Sequence, residues 1–195
     1  MATLWTSDER DDWQRALASY ERVISEQGVE KLADLDRWYR DDLPETIAAR
    51  QPPHVTLAEL VRVTQWKMAR GVWRARNLAL VRGNAPELVI ETSAAALAKV
   101  PHATAPIAGL AQLAGVGPAT ASAIAAATTP SVYPFFDELV AVQMPQSGKL
   151  AFTLSYYARY AAALRERADR LAHPWTPAMV ERALWANIGG KAGAR

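Results

Sequence analysis

The sequence predicts an all-α protein, a helical bundle of two lobes built from roughly nine or ten helices with short connections. Three observations carry that reading. Alanine, the best helix former, is concentrated between Ala94 and Ala127 and between Ala158 and Ala163. Alternating β-branched runs of the kind that make strands are scarce. Helix caps, prolines and glycines punctuate the apolar stripes at helical lengths.

Ser7 is read as the start of the first helix, with Asp8, Glu9, Asp11 and Asp12 in its first turn complementing the helix dipole. Trp13, Leu17, Tyr20 and Ile24 form one face, and Gly28 ends it. A second helix runs from about Val29 through Leu32, Leu35 and Trp38, breaks near Leu43-Pro44 and continues briefly to Arg50. Gln51-Pro-Pro-His54 is a loop. Thr56 with Glu59 three residues on forms a capping box, and Leu57, Leu60, Val61, Thr64 and Met68 make the stripe of the next helix. Gly71 is a break or bend, Trp73 to Val81 continues helically, and Gly83-Asn84 stops it. Pro86 opens a helix to about Lys99, and Pro101 to Pro106 reads as a linker.

Ile107–Ala114 and Ala119–Thr128 read as two apolar helices joined by a tight hairpin, followed by an extended turn over Thr129–Pro134. Asp137 lies at the start of a helix ending near Met144-Pro145. Gly148 to Leu171 reads as one long helix carrying Phe152, Tyr156, Tyr157 and Tyr160 as core, and Thr176-Pro177 starts a last one with Met179, Val180, Leu184 and Trp185. The chain divides into an acidic helical segment (1–50), a body (51–188) and a small flexible tail (189–195).

Composition limits the chemistry. The chain has 195 residues and no cysteine, which excludes disulfides, thiolate nucleophiles and a cysteine-held iron–sulfur cluster. The three histidines each lie at or near a proline and read as loop residues, so neither a cofactor nor a metal site is expected. No signal peptide or membrane-spanning run is visible, so the expected setting is cytoplasmic, at the nucleoid in a bacterium, without membrane contact. The net charge of +2 is unevenly spread: residues 1–50 carry 12 acidic and 7 basic side chains, and the remainder 8 and 15. Leu60 to Pro86 holds six basic residues and no acid, and Thr92 to Phe136 has no acid at all. Such a surface lets a polyanion approach without repulsion.

The hairpin Leu113-Ala-Gly-Val-Gly-Pro-Ala-Thr-Ala121 sits in that acid-free tract. Gly115 and Gly117 permit positive φ and close backbone approach, Val116 and Leu113 can pack it inward, and N–H groups at the following helix N-terminus suit a phosphate. Taken alone, a Gly-x-Gly is equally a plain helix connection, and Asp137 equally a plain N-cap.

This segment, the apolar helix after it, the Pro-containing turn, Asp137 twenty residues after Gly117 and Val140 in an Asp-x-x-Val pattern resemble the helix-hairpin-helix DNA glycosylases, the superfamily of endonuclease III and MutY. The resemblance covers residues 107–142 and, by helix order, extends back to Thr56. It implies contact between double-stranded, damaged DNA and Gly115, Val116, Gly117, Ala119, Thr120 and Ala121. It also implies a base turned out of the stack and an ionised Asp137 stabilising the oxocarbenium-like charge as the N-glycosidic bond breaks. Ala119 stands where bifunctional members carry their Schiff-base lysine, so the implied glycosylase is monofunctional.

Arg70, Arg74 and Arg76 are the expected phosphate contacts. Gln65, Trp66, Lys67, Tyr133, Phe135 and Phe136 are the expected pocket residues. Trp66 and Trp73 can stack on an extruded base or belong to the core, and the two phenylalanines can shape a pocket or seal it. The alternatives are a non-catalytic hairpin DNA-binding relative, and a helical interaction module using the acidic N-terminal segment.

Overall fold

A computed structural model describes residues 4–144 and 148–193, and every regular element among them is helical. After a 3₁₀ turn at Leu4–Thr6 come α1 (Arg10–Ala18), α2 (Tyr20–Glu26), α3 (Leu32–Arg37), a π-helical turn at Trp38–Asp42 and α4 (Leu43–Ala48). The middle of the chain forms α5 (Leu57–Arg70), α6 (Ala75–Arg82), α7 (Pro86–Leu97), α8 (Ala105–Leu110) and α9 (Pro118–Thr128). The last part forms α10 (Glu138–Ala141), α11 (Leu154–Leu171), α12 (Pro177–Asn187) and α13 (Gly190–Gly193). No helix among the described residues is long and apolar enough to cross a membrane.

Helix pairing falls into two groups. In one, α12 packs against α1, α2, α10, α11 and α13; in the other, α9 packs against α4, α5 and α8, with α7 on α5 and α8. One continuous core of buried side chains, from Leu4 to Ala186, joins them. At its centre lies α9, buried from Ala119 through Ala127. Its alanines therefore do more than favour a helix: with no side chain beyond Cβ, neighbouring helices close on it from several sides. Gly109 does the same for α8, since a Cβ there would stand 2.8 Å from the Ala96 Cβ on α7.

Several boundaries differ from the sequence reading. The first helix begins at Arg10, because the Ser7 hydroxyl ties to Asp12 at 2.6 Å and accepts from the Glu9 N–H instead of capping a helix of its own. Pro44 does not break its helix: it stands in the first turn of α4, where its missing N–H is not needed, and the preceding π turn widens the backbone before it. Residues 72–74 are not helical, so α6 starts at Ala75. Pro106 belongs to the first turn of α8 and not to a linker. The long helix starts at Leu154, where the Thr153 hydroxyl accepts from the Tyr156 N–H; Phe152 lies before it and is exposed. Within the expected tail, Gly190–Gly193 form α13, where the Gln27 side chain donates to the Gly189 carbonyl at 3.0 Å and accepts from the Ala192 N–H at 2.9 Å; residues 194–195 lie outside the described residues.

Gly115 has a φ of +75°, and a Cβ there would lie 2.6 Å from the Asn77 carbonyl oxygen and 2.9 Å from the Leu80 Cβ on α6. Gly115→Ala is therefore expected to cost about 2–4 kcal/mol through backbone strain and overpacking, read as a lower urea midpoint. An unchanged midpoint would show that α6 does not hold the hairpin.

Candidate nucleic-acid interface and its buried carboxylates

The turn between α8 and α9 is clamped from within the fold. The Asn84 side chain accepts from the Ala114 N–H at 2.9 Å and donates to the Ala114 carbonyl at 3.0 Å, bridging the end of α6 to the turn. Asn84, read from sequence only as a helix stop, is thus a positioning residue, and no local signal distinguishes it from an ordinary cap. Leu113 and Val116 are buried, so Val116 anchors the turn from inside. Gly117 is the N-cap of α9 with an extended backbone; it is exposed, and a Cβ there would meet nothing within 4 Å. Pro118 has no N–H, and the Ala119 and Thr120 N–H groups, in the first turn, find no acceptor among the described residues. The side chains of Ala119, Thr120 and Ala121 are buried, so any contact from this turn is made by its backbone.

Asp137 does begin a helix, α10, and its carboxylate accepts from the Leu139 N–H at 2.8 Å. It is only 5% exposed. Its other oxygen lies 3.6 Å from Arg70 Nε. Burial pushes its carboxyl above the usual range, against the pull of Arg70, the α10 amides and Lys67.

Arg70 corrects the sequence reading. It is not a phosphate contact: it is 1% exposed and bound to Glu181 of α12 at 2.5 Å. The rings of Trp185, Phe135, Trp66 and Tyr20 surround its guanidinium at 4.5–5.6 Å. Burial opposes its charge, and Glu181, Tyr20, Asp137 and Asp36 outweigh that, so the guanidinium holds its proton more firmly than a free one. Glu181 is pushed up to about 7 by burial, with Arg70 pulling the other way.

The remaining expected residues divide. Arg74 and Arg76 are exposed as expected. Trp66 is buried, stacked on Tyr39 with centroids 3.6 Å apart and donating to Asp36 at 2.9 Å, so it offers no face to an extruded base at the hairpin. Tyr133 is buried and donates to the His102 carbonyl at 2.9 Å. Phe136 packs among Phe152, Tyr156, Tyr157 and Tyr160, and its N–H donates to Ser122. Phe135 lies against Trp66. Gln65 is half-buried on α5, away from Asp137's cleft. Trp73, in the loop before α6, is 56% exposed.

Lys67, Arg74, Ala119, Asp137 and Phe135–Phe136 do line one cleft, of about 40 Å³. Burial lowers the Lys67 ammonium from its usual range, and repulsion from Arg74 adds to that. This volume admits about two or three waters, far less than the few hundred Å³ typical of sites for organic ligands. Phe135 and Phe136, both buried, form one side of the cleft. Among the described residues, no three His, Asp or Glu side chains converge on a metal position. No family model, curated protein or solved structure matches this chain.

Glu181 titrates near 4.5 in an unfolded chain and near 7 here, so between those values the folded state keeps a proton the unfolded state has released. Its contribution to stability is complete below the unfolded value and is lost as pH rises through 7. Unfolding free energy measured at about pH 5 and about pH 8 is expected to fall more steeply in the wild type than in Glu181→Gln. Equal slopes would mean that Glu181 stays ionised throughout.

Proposed function

We propose that the chain binds duplex DNA by its phosphate backbone through the Gly115–Ala121 hairpin, as a relative of the helix-hairpin-helix glycosylases in which Asp137 serves the fold and not bond cleavage. The observation that carries this reading is the N-terminus of α9: two unclaimed N–H donors behind an exposed glycine, with Arg74 and Lys67 lining the cleft beside them. A phosphate there meets oriented amides and the positive charge of Lys67 and Arg74; Asp137 and Glu138 border the same cleft, and Asp137 faces Arg70. The neighbouring loop adds an exposed ring, Trp73, able to stack on a base at the duplex surface. The contacts are to the backbone, so the binding is independent of sequence.

The geometry weighs against base excision. A carboxylate that stabilises an oxocarbenium ion must face the sugar, whereas Asp137 caps α10, leans on Arg70 and borders a cleft smaller than a base.

Fluorescence anisotropy with a labelled duplex tests the reading. Binding is expected at low salt and to weaken steeply as salt rises, with Arg74→Ala reducing the slope of log K against log salt by about 1. Gly117→Ala is expected to bind about tenfold more weakly, its methyl group standing where the phosphate lies, while its stability stays within about 1 kcal/mol of wild type. No affinity for duplex at low salt, or full affinity in Gly117→Ala, would sink the proposal. Base release from damaged oligonucleotides that is abolished by Asp137→Asn would overturn the structural role given to Asp137.

A further inference from the structure

A second and larger cavity, of about 250 Å³, lies where the two helix groups meet. It opens beside the last turn of α9, so it is separated from the hairpin by the length of that 11-residue helix, about 16 Å.

Its lining combines two kinds of group. Tyr20, Tyr39, Trp66 and Phe135 give it an aromatic wall. Arg40, Arg70, Arg182 and Glu181 give it charge. Most of that charge is already answered: Glu181 holds Arg70 at 2.5 Å, and Asp36 holds Arg40 at 2.8 Å. Arg182 differs. Its Nε donates to the Ala178 carbonyl at 3.4 Å, and it has no carboxylate partner among the described residues. Arg182 is a half-buried guanidinium 5.9 Å from the Tyr20 ring, and the carboxylate that acts on it, Glu181, is already bound to Arg70, so it suits an anion attached to a flat apolar body. Ala178, in the first turn of α12, also lines the cavity, and that turn adds the positive end of the helix dipole.

We infer that this cavity binds a small planar aromatic anion, its ring against the aromatic wall and its carboxylate or phosphate at Arg182. The site is independent of DNA binding at the hairpin. The unpaired last-turn carbonyls of α9 at the cavity's edge favour rings that carry an N–H donor.

Isothermal titration calorimetry with the full chain tests this, using indole-3-acetate and deoxyadenosine monophosphate as probes and neutral indole as the control. At least one anion is expected to bind saturably, about tenfold or more tightly than indole, and which one binds distinguishes a carboxylate from a phosphate ligand. Arg182→Ala is expected to erase that advantage. Ala178→Leu, which fills the cavity without touching a charge, is expected to abolish binding of any probe while its thermal unfolding shows the fold intact. Absence of saturable heat with both anions at millimolar concentration overturns the inference. Equal affinity for indole and the anions, or unchanged binding in Ala178→Leu, does so as well.

Discussion

A single buried guanidinium fixes much of this protein. Taking the charge of Arg70 out of water is costly, and it is tolerated only where carboxylates and ring faces replace the lost solvent. Glu181 supplies the close partner from α12, Asp137 supplies a second carboxylate from the start of α10, and four aromatic rings close around the rest. Three helices distant in sequence must therefore arrive in one register. Because α5 lies in the group of helices around α9 and α12 anchors the other group, the same ion pair joins the two halves of the molecule.

That constraint also decides what Asp137 can do. One of its oxygens caps α10, and the other faces Arg70 Nε at 3.6 Å, beyond hydrogen-bond distance. Burial pushes the carboxylate's proton affinity up, and Arg70, the α10 amides and Lys67 pull it back down. The hairpin twenty residues earlier is under no such demand. Its glycines divide the work: Gly115 lets the turn close on α6, and Gly117 leaves the helix end bare.

Much of the fold could be read locally, and what could not depended on distant partners. The Thr56–Glu59 capping box, the helix opened by Pro86 and the second apolar helix, now α9, follow from neighbouring residues alone and appear near the expected places, whereas the first, α8, ends at Leu110 and not Ala114. Arg70 could not be told from Arg74 and Arg76, because all three sit in one acid-free basic run and only the fold brings Glu181, 111 residues away, to the first of them. Trp66 likewise carries no local sign that Asp36 accepts its indole N–H. Thr153 is hidden as a cap by Leu150, Ala151 and Phe152 before it, apolar residues that continue the helical pattern. The lack of a Cβ at Gly190 lets α13 lie against Trp185 and Gln27, a contact with residues too distant in sequence to be read locally.

The alanine-rich helix α9 ties these features together. A helix buried on all sides can present chemistry only at its ends, since its flanks are spent on packing. At its N-terminus the first-turn amides are left without partners, and at its C-terminus the last carbonyls border the aromatic cavity. Larger side chains along α9 would push α4, α5 and α8 apart and open the Arg70 cluster to water, so the low side-chain volume of α9 and the buried charge depend on each other. The run of small residues that marks this chain as helical is, on this argument, also what lets one helix carry two separated polar ends through the middle of an apolar core.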